Sequence, residues 1–209
     1  NATFAGSVTA TSFNGIPFFT DVANNSMYTH NVSGTDDNAV QNTAYGFLAL
    51  RDITTGDYNT AMGYTSGANI EGGAQNVIIG AYALGLAVGA HSNVAIGYGA
   101  MANADGAEGK NVAIGHSALS NMNSSTDNYN TAVGYHAGKA ITTGLYNILT
   151  GGLAGDALTT GTGNIAIGHE ALSTEDAHGR NVAIGHQSLQ NQNAGADAYN
   201  VSVGYRAGK

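Results

Sequence analysis

An asparagine recurs ten times in this chain at steps of 17 to 19 residues, and a glycine follows each copy four positions later. Such a period constrains the fold more than any other feature, because every repeat has to adopt one local structure and bury its apolar side chains against its neighbours. We number the positions of each copy from this asparagine, so that the glycine is position five. The copies begin at Asn42, Asn59, Asn76, Asn93, Asn111, Asn130, Asn147, Asn164, Asn181 and Asn200.

The residues between the asparagine and the glycine have the pattern of a β-strand. Position two is β-branched in every copy, position four is mostly Ile or Val, and position three is Ala in seven of the ten copies. Side chains alternate between the two faces of a strand, so positions two and four share one face and position three lies on the other. We expect the bulky face to line the interior and the alanines to point outward.

The remainder of each copy indicates a closed coil. A glycine at position five can turn a corner, and a second apolar pair, such as Ala118-Leu119 or Ala171-Leu172, predicts another short strand before a polar turn. One coil cannot bury its aliphatic groups alone, whereas coils stacked about 4.8 Å apart share a continuous core. The sequence therefore predicts an all-β fold, a parallel β-solenoid (β-roll) of about ten 17–19-residue coils over residues 42–209, preceded by an N-terminal cap or connector over residues 1–41.

The invariant residues are predicted to be structural. Identical asparagines on stacked strands hydrogen-bond up and down the stack, and glycines at the corners accept backbone angles that other residues disfavour. The predicted ladder includes Asn111, Asn130, Asn164 and Asn181, with corners at Gly115, Gly134, Gly168 and Gly185.

Composition excludes several functions. The formal charge is −8 with only six Lys and Arg, so no cationic surface is available to follow a nucleic-acid backbone. The absence of Cys removes thiolate metal sites and thiol catalysis. No apolar run reaches the length of about 18 residues that spans a bilayer, so we expect no membrane insertion.

Position six is the place where repeated side chains could carry chemistry. It holds Phe or Tyr in five copies and His in three, which predicts rings stacked along the coils. His169 and His186 fall on adjacent coils and are the candidate metal ligands, although no carboxylate or Cys is in register to complete a ligand set. The motif GHSAL at 115–119 lacks the closing glycine of a nucleophile elbow. We therefore expect no catalytic residue, no cofactor and no enzymatic activity.

A longer period lies over the short one. Residues 111–139 match residues 181–209 at an offset of 70, so four coils form one super-repeat. The pattern stops within a super-repeat without a polar capping coil, from which we expect a fragment of a longer fibre. The alternative is an open end that stacks on another molecule.

The stretches NVAIGHSAL and NTAVGYHAG resemble the head repeats of trimeric autotransporter adhesins and the repeats of phage tail fibres. This resemblance covers about residues 42–209 and implies a left-handed β-roll, a homotrimer, and attachment to a host or another surface from an extracellular or virion-surface location. A cell-surface glycan or protein would be the receptor. The alternatives are a carbohydrate-binding module and an extracellular filament subunit that stacks end to end.

The alanines at position three suggest how the three chains meet. An outward stripe of small apolar residues along a rod needs a partner, and a closed assembly provides one. The predicted interface consists of Ala44, Ala61, Ala95, Ala113, Ala132, Ala166 and Ala183.

Overall fold

Eleven parallel strands of three residues each, β4 to β14, form one continuous sheet in a computed structural model that describes residues 12–13, 16–17, 19–21, 26–29 and 38–209. The described residues contain no helix, and the coils make a β-solenoid of about ten turns, which confirms the predicted fold class. The strands are β1 (Ser12–Phe13), β2 (Ile16–Pro17), β3 (Phe19–Asp21), β4 (Ser26–Tyr28), β5 (Thr43–Tyr45), β6 (Thr60–Met62), β7 (Val77–Ile79), β8 (Val94–Ile96), β9 (Val112–Ile114), β10 (Thr131–Val133), β11 (Ile148–Thr150), β12 (Ile165–Ile167), β13 (Val182–Ile184) and β14 (Val201–Val203).

The register of the sheet follows the repeat. From β5 onward each strand pairs with the next so that equal positions meet, as Ala113 meets Ala132 between β9 and β10. Identical side chains therefore lie above one another along the solenoid. The strand order from β3 to β14 is the order of the chain, with β3 antiparallel to β4 and all later neighbours parallel.

The predicted orientation of the strands is wrong. Position three points into the coil: the seven alanines at this position are at most 1% exposed, whereas positions two and four lie on the outside. The reason is volume. The strand and the bend that follows it lie close together, and the interior already contains Leu119 and Met122 from the bend of one coil. Only a small side chain fits opposite them.

The predicted second strand of each coil is also absent. Ala118-Leu119 and Ala171-Leu172 lie in a bend, because positions seven and nine have left-handed backbone angles that a strand does not allow, with φ of 53° at Ser117 and 49° at Leu119. The bend still bonds to the next coil, since the N–H of Leu119 donates to the carbonyl of Ala137 at 3.1 Å. Each coil is thus one strand and one hydrogen-bonded bend.

The sheet extends beyond the first asparagine coil into residues 1–41. β4 pairs in parallel with β5, and β3 covers the other edge of β4 in antiparallel fashion. Most other residues of this segment lie outside the described part, so its role as a cap or connector stays a prediction. No helix long and apolar enough to cross a membrane occurs in the described part of the chain.

Candidate interaction surfaces

The asparagines at position one form an unbroken ladder inside the solenoid. Their side chains are buried from Asn42 to Asn181, and each Oδ1 accepts the backbone N–H of the next asparagine, as between Asn111 and Asn130 at 2.9 Å. In seven of the ten coils the Nδ2 atom donates to a backbone carbonyl near the end of its own coil, as from Asn130 to Gly144 at 2.7 Å. The ladder therefore fixes the coil spacing from within and leaves no asparagine of this set available for a ligand.

The glycines at position five lie where the next coil comes closest. A Cβ on Gly115, Gly134, Gly168 or Gly185 would lie 2.3 to 2.5 Å from the carbonyl oxygen of the corresponding glycine one coil later. These glycines are therefore determined by packing and not by ligand binding.

The most extensive surface is the outer face of β5 to β14, which we call the outer face and define by positions two and four. None of its twenty side chains is charged, and most are Val, Ile or Thr. Val77, Ile79, Ile148 and Ile167 are 36 to 43% exposed, more than expected for branched apolar residues in a monomer. Because each coil contributes one strand in strict register with the next, these side chains form two continuous rows along the solenoid.

Position six adds a row of rings at the border of the outer face. Phe47 stacks on Tyr64 with an interplanar angle of 8°. The third coil has Ala81 at position six, and the row then runs from Tyr98 through His116 to Tyr135. Gly152 interrupts the row, which resumes with His169, His186 and Tyr205 at centroid distances of 5.4 and 5.3 Å. The rings are largely exposed, so the row is a second apolar surface as well as a packing device.

His169 and His186, the predicted metal candidates, are stacked with an interplanar angle of 13°. In this arrangement their in-plane nitrogen lone pairs run parallel and do not converge on one point, as metal coordination requires. The nearest carboxylate contact is 4.0 Å between Nδ1 of His169 and Glu170. A metal at this pair therefore requires rotation of at least one ring.

Among the residues that the structure describes, one set of metal-ligating side chains comes together that the sequence did not indicate: Glu175, Asp176 and His178, in the turn that ends the eighth coil. The Glu175 carboxylate is buried and already accepts the N–H groups of His178 and Ala194, both at 3.2 Å. Its hydrogen-bonding capacity is used to hold the turn against the next coil. This set is therefore better explained by packing than by metal binding.

A second polar cluster spans three coils. Asp127 contacts Nε2 of His91 at 2.8 Å and Nζ of Lys110 at 2.6 Å. The hydrogen bond from Lys110 holds the pKa of Asp127 below its usual value, and the same bond raises the pKa of Lys110. Arg180 and Asp197 form the equivalent ion pair one super-repeat later. The recurrence of the ion pair at equivalent turns indicates that it stabilises the packing of turns in adjacent coils.

One pair of side chains has the residue types of a nucleophile and its base. Oγ of Ser117 lies 3.1 Å from Nδ1 of His116. Both side chains are on the surface, and His116 is held between the rings of Tyr98 and Tyr135. Among the described residues no carboxylate hydrogen-bonds to His116, so the pair lacks the group that orients the base in hydrolases.

Sequence reasoning missed the outer face because it assigned the bulky side chains to the interior. The signal that identifies it is side-chain size: two branched residues per strand exceed what a 17-residue coil encloses, whereas an alanine with one leucine fills it. Comparisons with known proteins add no function, because no family model matches the chain and neither a curated protein nor a solved structure shows significant similarity.

Proposed function

We propose that the chain is the shaft of an attachment fibre, such as a phage tail fibre or a surface adhesin, in which three copies associate through their outer faces. The outer face supports this function most directly. A sheet face that is exposed to water normally carries polar and charged side chains such as Thr, Lys or Glu. The outer face has no charged side chain on any coil, and most of its residues are Val, Ile or Thr. Such a surface needs a partner.

The outer face is long but narrow. Ten coils that rise about 4.8 Å each, with three-residue strands about 10 Å long, give roughly 480 Å², below the typical value of about 800 Å² per partner, so the row of rings at its border has to contribute to a stable interface. Further copies of the chain are the simplest occupants, because uncharged faces with the same coil spacing can pack together in register. The number three, the left-handed coil and an extracellular or virion-surface location are proposed from the resemblance to tail-fibre and adhesin repeats.

The assembly is tested by the mass of the chain in solution. Light scattering should give a value near three times the chain mass of 21.0 kDa, stable on dilution. A single-chain mass at high concentration would contradict the proposal. A mass that grows with concentration without a plateau would instead favour the filament subunit that stacks end to end.

The attachment function is tested with beads. Beads coated with the trimer should adhere to the surface of some bacterial or animal cells in a panel, and soluble trimer should compete. Absence of adhesion across the panel would limit the chain to a passive spacer between other parts of a fibre.

A further inference from the structure

A groove runs along one flank of the solenoid over its first four coils. It arises at position ten, where three successive coils carry Ala68, Gly85 and Ala102, while the coils before and after carry Arg51 and Ser120. The depression has a volume of about 370 Å³ and is lined by both apolar and polar side chains. This volume lies within the usual range of small-molecule sites, about 300 to 1,000 Å³.

One wall of the groove is the ring of Tyr82, which departs from the repeat. The third coil has Ala81 at position six and the ring one residue later. Tyr82 consequently meets the rings of Tyr64 and Tyr98 at 79° and 71° and does not stack on them. The ring remains 44% exposed, and Leu86 also lines the groove. The Tyr82 ring therefore forms an aromatic platform along this wall of the groove.

The rim of the groove is polar but has no net charge. Arg51 donates to Asp52 at 2.9 Å and to Oδ1 of Asn69 at 2.6 Å, so its guanidinium is neutralised by the neighbouring carboxylate. Asn103 donates one Nδ2 hydrogen to Asn121 at 3.1 Å and keeps further amide capacity. Asn69 in the second coil and Asn103 in the fourth coil thus place two planar amide groups along the groove, two coils apart.

Thr65 adds an unused group on the same wall. Its hydroxyl is buried and has no hydrogen-bond partner within the described part of the chain. A buried hydroxyl without a partner costs free energy. Because Thr65 lines the groove, a bound molecule is one possible source of the missing partner.

We infer that this groove binds a neutral oligosaccharide, with one sugar ring on Tyr82 and sugar hydroxyls on Asn69, Asn103 and Arg51. A pyranose has an apolar face of C–H groups and a rim of hydroxyls, which is the distribution that the platform and rim complement. The formal charge of −8 disfavours anionic glycans. Four coils give a groove about 14 Å long, which suits a short oligosaccharide.

The site adds a binding activity to the proposed shaft and does not depend on it. The groove occupies positions seven to eleven, whereas the outer face occupies positions two and four. If the chain is a monomer and binds the sugar, only the proposed trimer is contradicted. If the chain is a trimer and binds no sugar, only the proposed sugar site in the groove is contradicted.

The test uses cellotriose, maltotriose and triacetylchitotriose as probes of the intact chain, with saturation-transfer NMR for detection and calorimetry for affinity. At least one trisaccharide should bind. Tyr82→Ala, which removes the platform, and Ala102→Gln, which fills the groove, should each weaken binding about tenfold or more. Gln occurs naturally at position ten as Gln190, so the second variant should fold.

Ser173→Gln is the matched control, because it introduces the same residue at position ten of the eighth coil, outside the groove. It should bind the sugar like the unmodified chain. The inference is overturned if none of the three sugars binds at about 10 mM, or if both groove variants bind normally. It is also overturned if a hyaluronan tetrasaccharide or an uncharged leucine-rich hexapeptide binds more tightly than every neutral sugar.

Discussion

At the scale of single residues, the coil imposes left-handed backbone angles at three places: position seven, position nine and the residue before each asparagine. Within the part of the chain that the structure describes, all 24 non-glycine residues with positive φ occupy these places, with φ between 47° and 63°. Ordinary side chains tolerate these angles because the stacked neighbours determine the backbone. Position five differs, since its glycines have φ of 128° to 142° and lie against the next coil.

Gly115→Ala should therefore destabilise the chain by about 3 kcal/mol or more, through both the disfavoured φ and the contact with the carbonyl of Gly134. Gly99→Ala is the control. Gly99 also has a positive φ of 62°, but the nearest atom to an added Cβ, Oγ of Ser117, is 3.6 Å away. It should cost about 1 kcal/mol. Equal losses in urea unfolding would show that the close approach of the coils is not the cause.

Asn111→Leu should lower stability by about 1 to 3 kcal/mol, because the buried N–H of Asn130 loses its acceptor. Thermal and urea unfolding measure the loss. Asn121→Leu changes an exposed asparagine of the same coil and should stay within about 0.5 kcal/mol. An unchanged melting midpoint for Asn111→Leu would refute a stabilising role for the ladder.

Glu108 is fully buried and accepts the N–H of Ser124 at 2.6 Å across to the next coil. Burial raises its pKa, and the backbone hydrogen bonds only partly oppose this shift. A raised carboxyl pKa contributes stability below the unfolded pKa, and this contribution is lost as pH rises through the folded pKa.

The free energy of unfolding of the unmodified chain, minus that of Glu108→Gln, should therefore decrease as the pH rises from about 3.5 to about 7. Urea unfolding at several pH values measures this difference and cancels the titration of other groups. A difference that is constant or increases with pH would argue against desolvation as the dominant effect.

At the scale of one coil, the interior keeps a constant volume by exchanging side chains between positions. Five of the ten coils combine Ala at position three with Leu or Met at position nine, but where Gly67 occupies position nine, Ile78 fills the space from the next coil. A Cβ on Gly67 would lie 2.8 Å from Cδ1 of Ile78. Gly138 and Leu149 repeat this exchange one super-repeat later.

This exchange predicts a compensating pair. Ile78→Ala should cost about 2 to 5 kcal/mol through a cavity, and Gly67→Leu should destabilise by overpacking against Ile78. The double variant recreates the common pattern of Ala with Leu and should lie within about 1 kcal/mol of the unmodified chain. If the loss of stability in the double variant equals the sum of the two single losses, Ile78 and position nine of the preceding coil do not compensate for each other.

The repeat predicted the number of coils, the strand positions and the parallel register, because the periodic Asn and Gly mark the same place in each coil. The alternation of residue types along each strand identified which residues share a face. The same alternation fits either face as the interior, so it does not say which face is inside. Position three illustrates this limit: Ala113 can line either a narrow interior or a close interface. The bend at Ala118-Leu119 was mistaken for a strand because apolar pairs occur in both.

At the scale of the whole molecule, the solenoid places its uncharged outer face on one side and its polar turns on the others. Because the alanines are buried within one chain, the earlier expectation that Ala113 and Ala183 mediate assembly is wrong. The residues next to them, Ile114 and Ile184, point outward and are only partly covered. Any assembly through this side of the sheet therefore uses the branched residues.

Two double variants separate folding from assembly. Ile114→Glu with Ile184→Glu should preserve the β circular dichroism spectrum but reduce the light-scattering mass to one chain, because like charges would meet at the interface. Ala113→Glu with Ala183→Glu should instead abolish the folded spectrum, since both alanines are 0% exposed and a lone buried carboxylate costs several kcal/mol. Asn121→Glu with Asn191→Glu is the matched control, because both residues are exposed and lie one super-repeat apart. This control should alter neither the spectrum nor the mass. If Ile114→Glu with Ile184→Glu retains three times the mass of one chain, the outer face is not the interface.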